Sequence, residues 1–193
     1  MKKKLKKLAV LASGNGTTLQ AIIDAIENKK LDSTINIVIS NNNDAYALKR
    51  ANKANIKTYV LNDYKDANEL YEILKKSDID LVILAGYLKL IPKKVIKDFI
   101  IINTHPALLP KYGGKGMYGM NVHRAIVENK EKETGVTLHF VNEEYDKGRI
   151  IAQTKVKVYK NNTPEDVSSR VQKAEKIQLV NALKDFSNGI IEI

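Results

Sequence analysis

Apolar and polar positions along this chain fall into two rhythms. Short runs rich in Val, Ile and Leu occur at 7–12, 35–39, 57–61, 80–85 and 100–102. Runs of this length without polar alternation predict strands buried on both faces, as in a parallel sheet. The mixed stretches between them at 17–28, 44–53 and 66–76 read as helices. Helices alternating with strands argue for a parallel sheet covered on both faces. Residues 87–91 read as further core and the start of another helix.

Towards the C-terminus the rhythm changes. A helix at 121–128 is followed by strands at 134–141 and 150–159, joined by the acidic loop 142–148, as in an antiparallel edge hairpin. Thr163-Pro164-Glu165-Asp166 is a helix start, with Thr as N-cap and Pro in the first turn. Val167, Val171, Ala174, Val180, Leu183 and Phe186 mark the buried stripe of that helix, which runs to about residue 187.

Composition narrows the class. With 193 residues, 44% of them hydrophobic, the chain can bury a sizeable core. It has no apolar run of about 18 residues, so no membrane-spanning helix is expected. The lysines of 2–7 precede only a short apolar run and then a Gly-Asn-Gly turn, which does not fit a secretory signal. A cytoplasmic protein with residues 1–6 as a solvated basic tail is expected. The absence of cysteine excludes disulfides, thiolate catalysis and thiolate metal sites. A net charge of +10 invites nucleic acid, but five of those charges lie in the first seven residues. With three Phe and no Trp to stack bases, small anionic substrates fit the charge at least as well, and no nucleic-acid or membrane partner is expected.

The chemistry-bearing stretch is Ile100-Ile101-Ile102-Asn103-Thr104-His105-Pro106-Ala107-Leu108-Leu109-Pro110. A buried strand gives way to an amide and an imidazole two residues apart, which therefore point the same way. Pro106 and Pro110 hold the backbone that follows. In an open α/β sheet ligands bind at the carboxyl ends of strands, so a hydrogen-bond donor and an acid/base group would stand together there. A second stretch, Ser13-Gly14-Asn15-Gly16-Thr17-Thr18, is a glycine turn opening a helix, a setting suited to a phosphate. Leu19 stands where a dinucleotide fingerprint needs a third small residue. The second strand ends in Ser-Asn-Asn-Asn, with no acidic residue for a ribose. A monophosphate remains. Four glycines within 113–119 read as a mobile loop, either a substrate-covering lid or simple disorder. His123 reads as a structural residue on its helix.

Asn103-x-His105-Pro106-x-Leu108-Leu109-Pro110, with Lys111-Tyr112 after it and Ser13-Gly14-Asn15-Gly16 near the start, resembles the signature of folate-dependent formyltransferases over about residues 6–186. The fold expected is α/β: a single-domain Rossmann-like open, mostly parallel twisted sheet with helices on both faces and an antiparallel C-terminal edge, spanning 1–193. The resemblance implies transfer of a formyl group from 10-formyltetrahydrofolate, a co-substrate, to the amine of 5-phosphoribosylglycinamide, without a metal, by a monomer or homodimer. It implies that Asn103, protonated His105 and Asp146 of an Asp-x-Gly turn are catalytic, with Asn103 also touching the folate. Gly16, Thr17 and Thr18 would hold the acceptor's phosphate. Gln172 and Glu175, which share a helix face by spacing, would bind the acceptor, the Glu near its amine. Leu88, Lys89, Leu90 and Ile91 would line the pterin pocket through backbone groups, with Lys89 where many relatives carry Arg. It further implies a cis Leu109–Pro110 bond.

Rival expectations are a formyltransferase on another amine acceptor such as initiator tRNA, and a formyltetrahydrofolate hydrolase. Relatives of those kinds carry further domains, whereas this sequence runs from Met1 to Ile193. A non-catalytic nucleotide-binding module would leave Asn103, His105 and Asp146 idle.

Overall fold

The computed structural model describes residues 4–191. Its elements run β1 (Lys7–Leu11), α1 (Thr17–Glu27), β2 (Thr34–Ser40), α2 (Tyr46–Lys53), β3 (Thr58–Val60), α3 (Ala67–Lys76) and β4 (Leu81–Leu84). They continue as α4 (Lys93–Asp98), β5 (Ile101–His105), α5 (Met120–Glu128), β6 (Glu133–Phe140), β7 (Ile150–Lys157) and α6 (Pro164–Asn188). The strands form a sheet in the order β3-β2-β1-β4-β5-β6-β7. β1 pairs in parallel with β2 and β4, and β2 with β3. β6 and β7 pair antiparallel. This is the expected α/β architecture with its antiparallel edge.

The chain divides into two compact units, residues 1–102 with 180–193, and residues 103–179. In the first unit the strand order reverses between β1 and β4. Right-handed crossovers then place α1 and α2 on one face and α3 and α4 on the other, and α1 packs with α2 while α3 packs with α4. Leu8, Val10, Leu11, Ile37, Ile39, Leu81 and Ile83 are fully buried or nearly so, as strands covered on both faces require. The expected basic tail is shorter than residues 1–6. Leu5 is buried, its N–H donates to the Phe186 carbonyl, and the N–H of Lys6 donates to Asp80. An apolar side chain at position 5 gains more from the core than from solvent. Residues 1–3 lie outside the described residues.

In the second unit Ala107, Val122, Ile126, Val136, Val167 and Val171 form the core. Val167 and Val171 come from the predicted stripe of α6. Gly135 is fixed by packing, because a Cβ there would lie 2.1 Å from the Thr154 carbonyl across the β6–β7 pair. The Leu109–Pro110 bond is cis.

Candidate active site

The first unit offers two ligand-facing stretches at its topological switch point, where open α/β sheets bind ligands. After β1, Gly16 adopts φ 70°, and a Cβ on it would lie 2.7 Å from Ala47. Only glycine fits this close turn. No side chain caps α1. The first helical bond runs from the Gln20 N–H to the Gly16 carbonyl at 2.9 Å, and the positive end of the helix dipole at this turn favours an anion. Arg50 on α2 braces the turn. Its Nε donates to the Asn15 carbonyl at 2.8 Å, Nη2 to Asn15 Oδ1 at 3.1 Å and Nη1 to Gln20 at 3.2 Å.

After β4, Leu88 and Leu90 expose about half their surface while Ile91 is buried. Lys89 Nζ stands 4.4 Å from the centre of the Tyr64 ring. The Leu88 N–H donates to Ser13 Oγ at 3.1 Å, and Ser13 N–H to the Gly86 carbonyl at 3.1 Å. The two stretches are thus tied through Ser13, which takes up the Leu88 N–H.

The second unit brings the polar residues together. Asn103 and His105 leave β5 on one face, two positions apart. The backbone after them is held by Thr137 of β6, whose hydroxyl donates to the Ala107 carbonyl at 2.7 Å and accepts from the Leu109 N–H at 3.0 Å. Gln153 of β7 donates to both Thr137 and the Leu109 carbonyl at 2.9 Å. Asp146 sits in the turn before β7 at φ 56°. A Cβ at Gly148 would lie 1.7 Å from the Phe140 carbonyl, so the turn requires glycine there.

His105 is buried. Its Nε2 lies 2.7 Å from the Tyr112 carbonyl, which makes Nε2 the protonated nitrogen, and its Nδ1 lies 3.4 Å from Asp146 Oδ2. The same Asp146 oxygen accepts from the Gly114 N–H at 2.8 Å. Asp146 Oδ1 faces His139 Nε2 at 3.6 Å. His139 donates from Nδ1 to the Phe140 carbonyl at 2.9 Å, so its Nε2 accepts from the Asn103 amide at 3.1 Å. A chain of contacts therefore runs from Asn103 through His139 and Asp146 to His105 and Tyr112. It consumes one N–H of the Asn103 amide, which carries two.

His139 is a member of this network that the sequence reading overlooked. Thr137 and His139 are polar residues at alternate positions of one strand, and that pattern was its signal. Glu175 accepts from Thr104 at 2.7 Å. Thr104 leaves β5 on the face opposite Asn103 and His105. Gln172 is exposed and donates to Ser168 at 3.1 Å. The start of the glycine loop is fastened by Gly114 to Asp146 rather than loose along its whole length.

Burial lowers the pKa of His105, outweighing the opposing pull of Asp146 and of the Tyr112 carbonyl. Asp146 at Nδ1 and the Tyr112 carbonyl at Nε2 are both acceptors and favour the charged ring, and burial opposes it. Asp146 stays ionised. Burial opposes its charge, but the two imidazoles beside it, His139 and His105, and the Gly114 N–H together hold its pKa below the usual carboxylate value. His123, on α5, is buried with Nδ1 unpartnered, and burial lowers its pKa to about 4.

Residues 6–183 match the family model described as formyl transferase. The chain belongs to the formyl transferase family. This formyl transferase is 40% identical over 175 residues to the chloroplastic phosphoribosylglycinamide formyltransferase of Arabidopsis thaliana, covering 86% of this chain and 60% of that relative. It is 36% identical to the phosphoribosylglycinamide formyltransferase of Escherichia coli, covering 96% of this chain and 89% of the relative. The chain thus spans about three-fifths of the plant relative's length and nearly all of the bacterial one. The crystal structure of glycinamide ribonucleotide transformylase 1 from Symbiobacterium toebii superposes with a TM-score of 0.90 at 34% identity, covering 98% of this chain and 91% of that one. No helix among the described residues is long and apolar enough to cross a membrane.

Proposed function

We propose that this formyl transferase moves the formyl group of 10-formyltetrahydrofolate to the amine of 5-phosphoribosylglycinamide, a step of de novo purine biosynthesis. The observation that carries the reading is the buried Asn103–His139–Asp146–His105 network. It stands in a chain similar to phosphoribosylglycinamide formyltransferases over nearly the whole of the bacterial enzyme's length.

The exposed apolar side chains of Leu88 and Leu90, with Lys89 between them, suit a flat aromatic pterin, and Ile91 backs them. Gly16, Thr17 and Thr18 take the acceptor's phosphate at the uncapped start of α1. Gln172 and Glu175 contact the remainder of the acceptor, Glu175 held by Thr104. The folate supplies an activated formyl carbon, and attack by the amine places negative charge on the formyl oxygen. Asn103 offers that oxygen the amide N–H not spent on His139, a donor of a kind worth about 10²–10³ in rate. His105, protonated at Nδ1 against Asp146, adds its positive charge to the stabilisation. Asp146 and His105, directly or through water, then carry the proton lost by the attacking amine towards the departing folate nitrogen. Residues 1–193 act as one formyltransferase domain in this reading, monomeric or homodimeric, in the cytoplasm, with small-molecule partners rather than nucleic acid.

The test is an assay of purified protein with formyl-folate, with and without phosphoribosylglycinamide. Formyl transfer that depends on the acceptor supports the reading. Acceptor-independent release of the folate would replace it with a hydrolase.

A further inference from the structure

One carboxylate outside the network is built onto it. Glu131 follows α5, and its backbone N–H closes on the Ile126 carbonyl at 3.1 Å. Its Oε1 accepts from the Tyr112 phenol at 3.0 Å and from Lys111 Nζ at 3.3 Å. Tyr112 is the residue whose carbonyl accepts from His105 Nε2 at 2.7 Å. Its backbone adopts φ 56°, a conformation that costs a residue with a bulky side chain and persists only where its surroundings hold it. The ring packs against the core formed by Ala107, Val122 and Ile126. Gly113 follows with no room for a side chain, as a Cβ would lie 2.5 Å from Leu109 and 3.2 Å from Asp146. Gly114 then donates to Asp146. The segment 111–114 therefore touches both members of the His105–Asp146 pair with its backbone and is latched at its other side by Glu131.

We propose that Glu131 is a positioning residue: through the Tyr112 phenol it fixes the carbonyl that holds the His105 imidazole with Nδ1 towards Asp146. The inference rests on the reading of His105 as the group that carries the proton. With the latch lost, the Tyr112 carbonyl is no longer a fixed acceptor, and the imidazole gains orientations in which Nδ1 leaves Asp146. The groups that face His105 electrostatically are Asp146 and His139, with His123 nearby on α5. None of them replaces a donor–acceptor bond at Nε2.

Tyr112→Phe removes one hydroxyl and leaves the ring and backbone in place, and Glu131→Ala removes the other partner. Each should lower kcat about tenfold, the scale of one lost hydrogen bond to a charged group, with both KM values within about twofold. The double variant should be no slower than the slower single. The Tyr112 carbonyl raises the pKa of His105, so the alkaline limb of the kcat profile, where the imidazolium is lost, should move to lower pH in both. Glu131→Gln, whose amide oxygen still accepts from the phenol, should recover most of the rate. Measuring His105→Ala alongside separates the two levels. If His105→Ala is inactive while Tyr112→Phe and Glu131→Ala turn over like wild type, or lose only thermal stability, the latch is overturned and the reading of His105 stands. Wild-type turnover in His105→Ala would overturn both.

Discussion

Asp146→Asn is the sharpest perturbation of the proposed chemistry, because it removes a charge and little else. Asparagine tolerates the φ of 56° at this position, and its oxygen still accepts from the Gly114 N–H. What disappears is the carboxylate 3.4 Å from His105 Nδ1. At an effective dielectric of about 20, two unit charges at that separation attract by about 5 kcal/mol. Water reaching the partly accessible carboxylate reduces this, and retaining half corresponds to roughly two decades in rate. The direction follows from the balance at His105, where burial already holds the pKa below the ordinary 6.5 and Asp146 is the largest opposing influence. Without Asp146 the pKa falls further, and less imidazolium forms at neutral pH. Steady-state kinetics of Asp146→Asn should therefore show kcat reduced about 100-fold, acceptor KM nearly unchanged, and the alkaline limb of the kcat profile, where the imidazolium is lost, displaced to lower pH. His105→Ala combined with Asp146→Asn should be no slower than the slower single variant, since the carboxylate acts through the ring. Additive losses, or an alkaline limb displaced upward, would refute this account of the pair.

The brace on the glycine turn and the anchor on Glu175 give separate signatures. Arg50→Ala removes the three bonds that hold Asn15 and Gln20, and should raise the acceptor KM about tenfold while leaving the folate KM alone; a change confined to the folate KM would contradict the assignment. Thr104→Val keeps the shape but deletes the 2.7 Å bond to Glu175. It too should raise the acceptor KM several-fold, by roughly the worth of a hydrogen bond to a charged group, and kinetics with varied acceptor would read it directly. His123 has a folded pKa near 4 against an ordinary 6.5, so the unfolded chain binds the extra proton first. Stability present above pH 6.5 is lost as pH falls towards 4, by at most about 3 kcal/mol from this residue. His123→Gln should flatten the melting temperature across that window, and an unchanged slope would show that another group carries the acid sensitivity.

The parallel half of the fold was legible because strands buried on both faces must be apolar without alternation, and β1, β4 and β5 are written that way. Asn103 and His105 stood out because a polar pair at the end of such a strand breaks its own pattern. His139 was hidden for the opposite reason. Its strand, β6, is buried along nearly its whole length yet carries Thr134, Thr137 and His139. A polar residue in a mixed strand reads as an outward-facing position until its partner is known, and the partners of His139 are Asn103, 36 residues earlier, and the Asp146 turn. Charge state was hidden more deeply. The resemblance places Asp146 beside His105 and argues for an imidazolium, but the competing cost is desolvation, which depends on what every other element packs against the ring. The Tyr112 carbonyl and its Glu131 latch were illegible on both counts, because one partner is backbone and the other lies beyond a helix. A site built from buried histidines is therefore read from sequence as a set of residue types, while its protonation and tautomers belong to the packed fold.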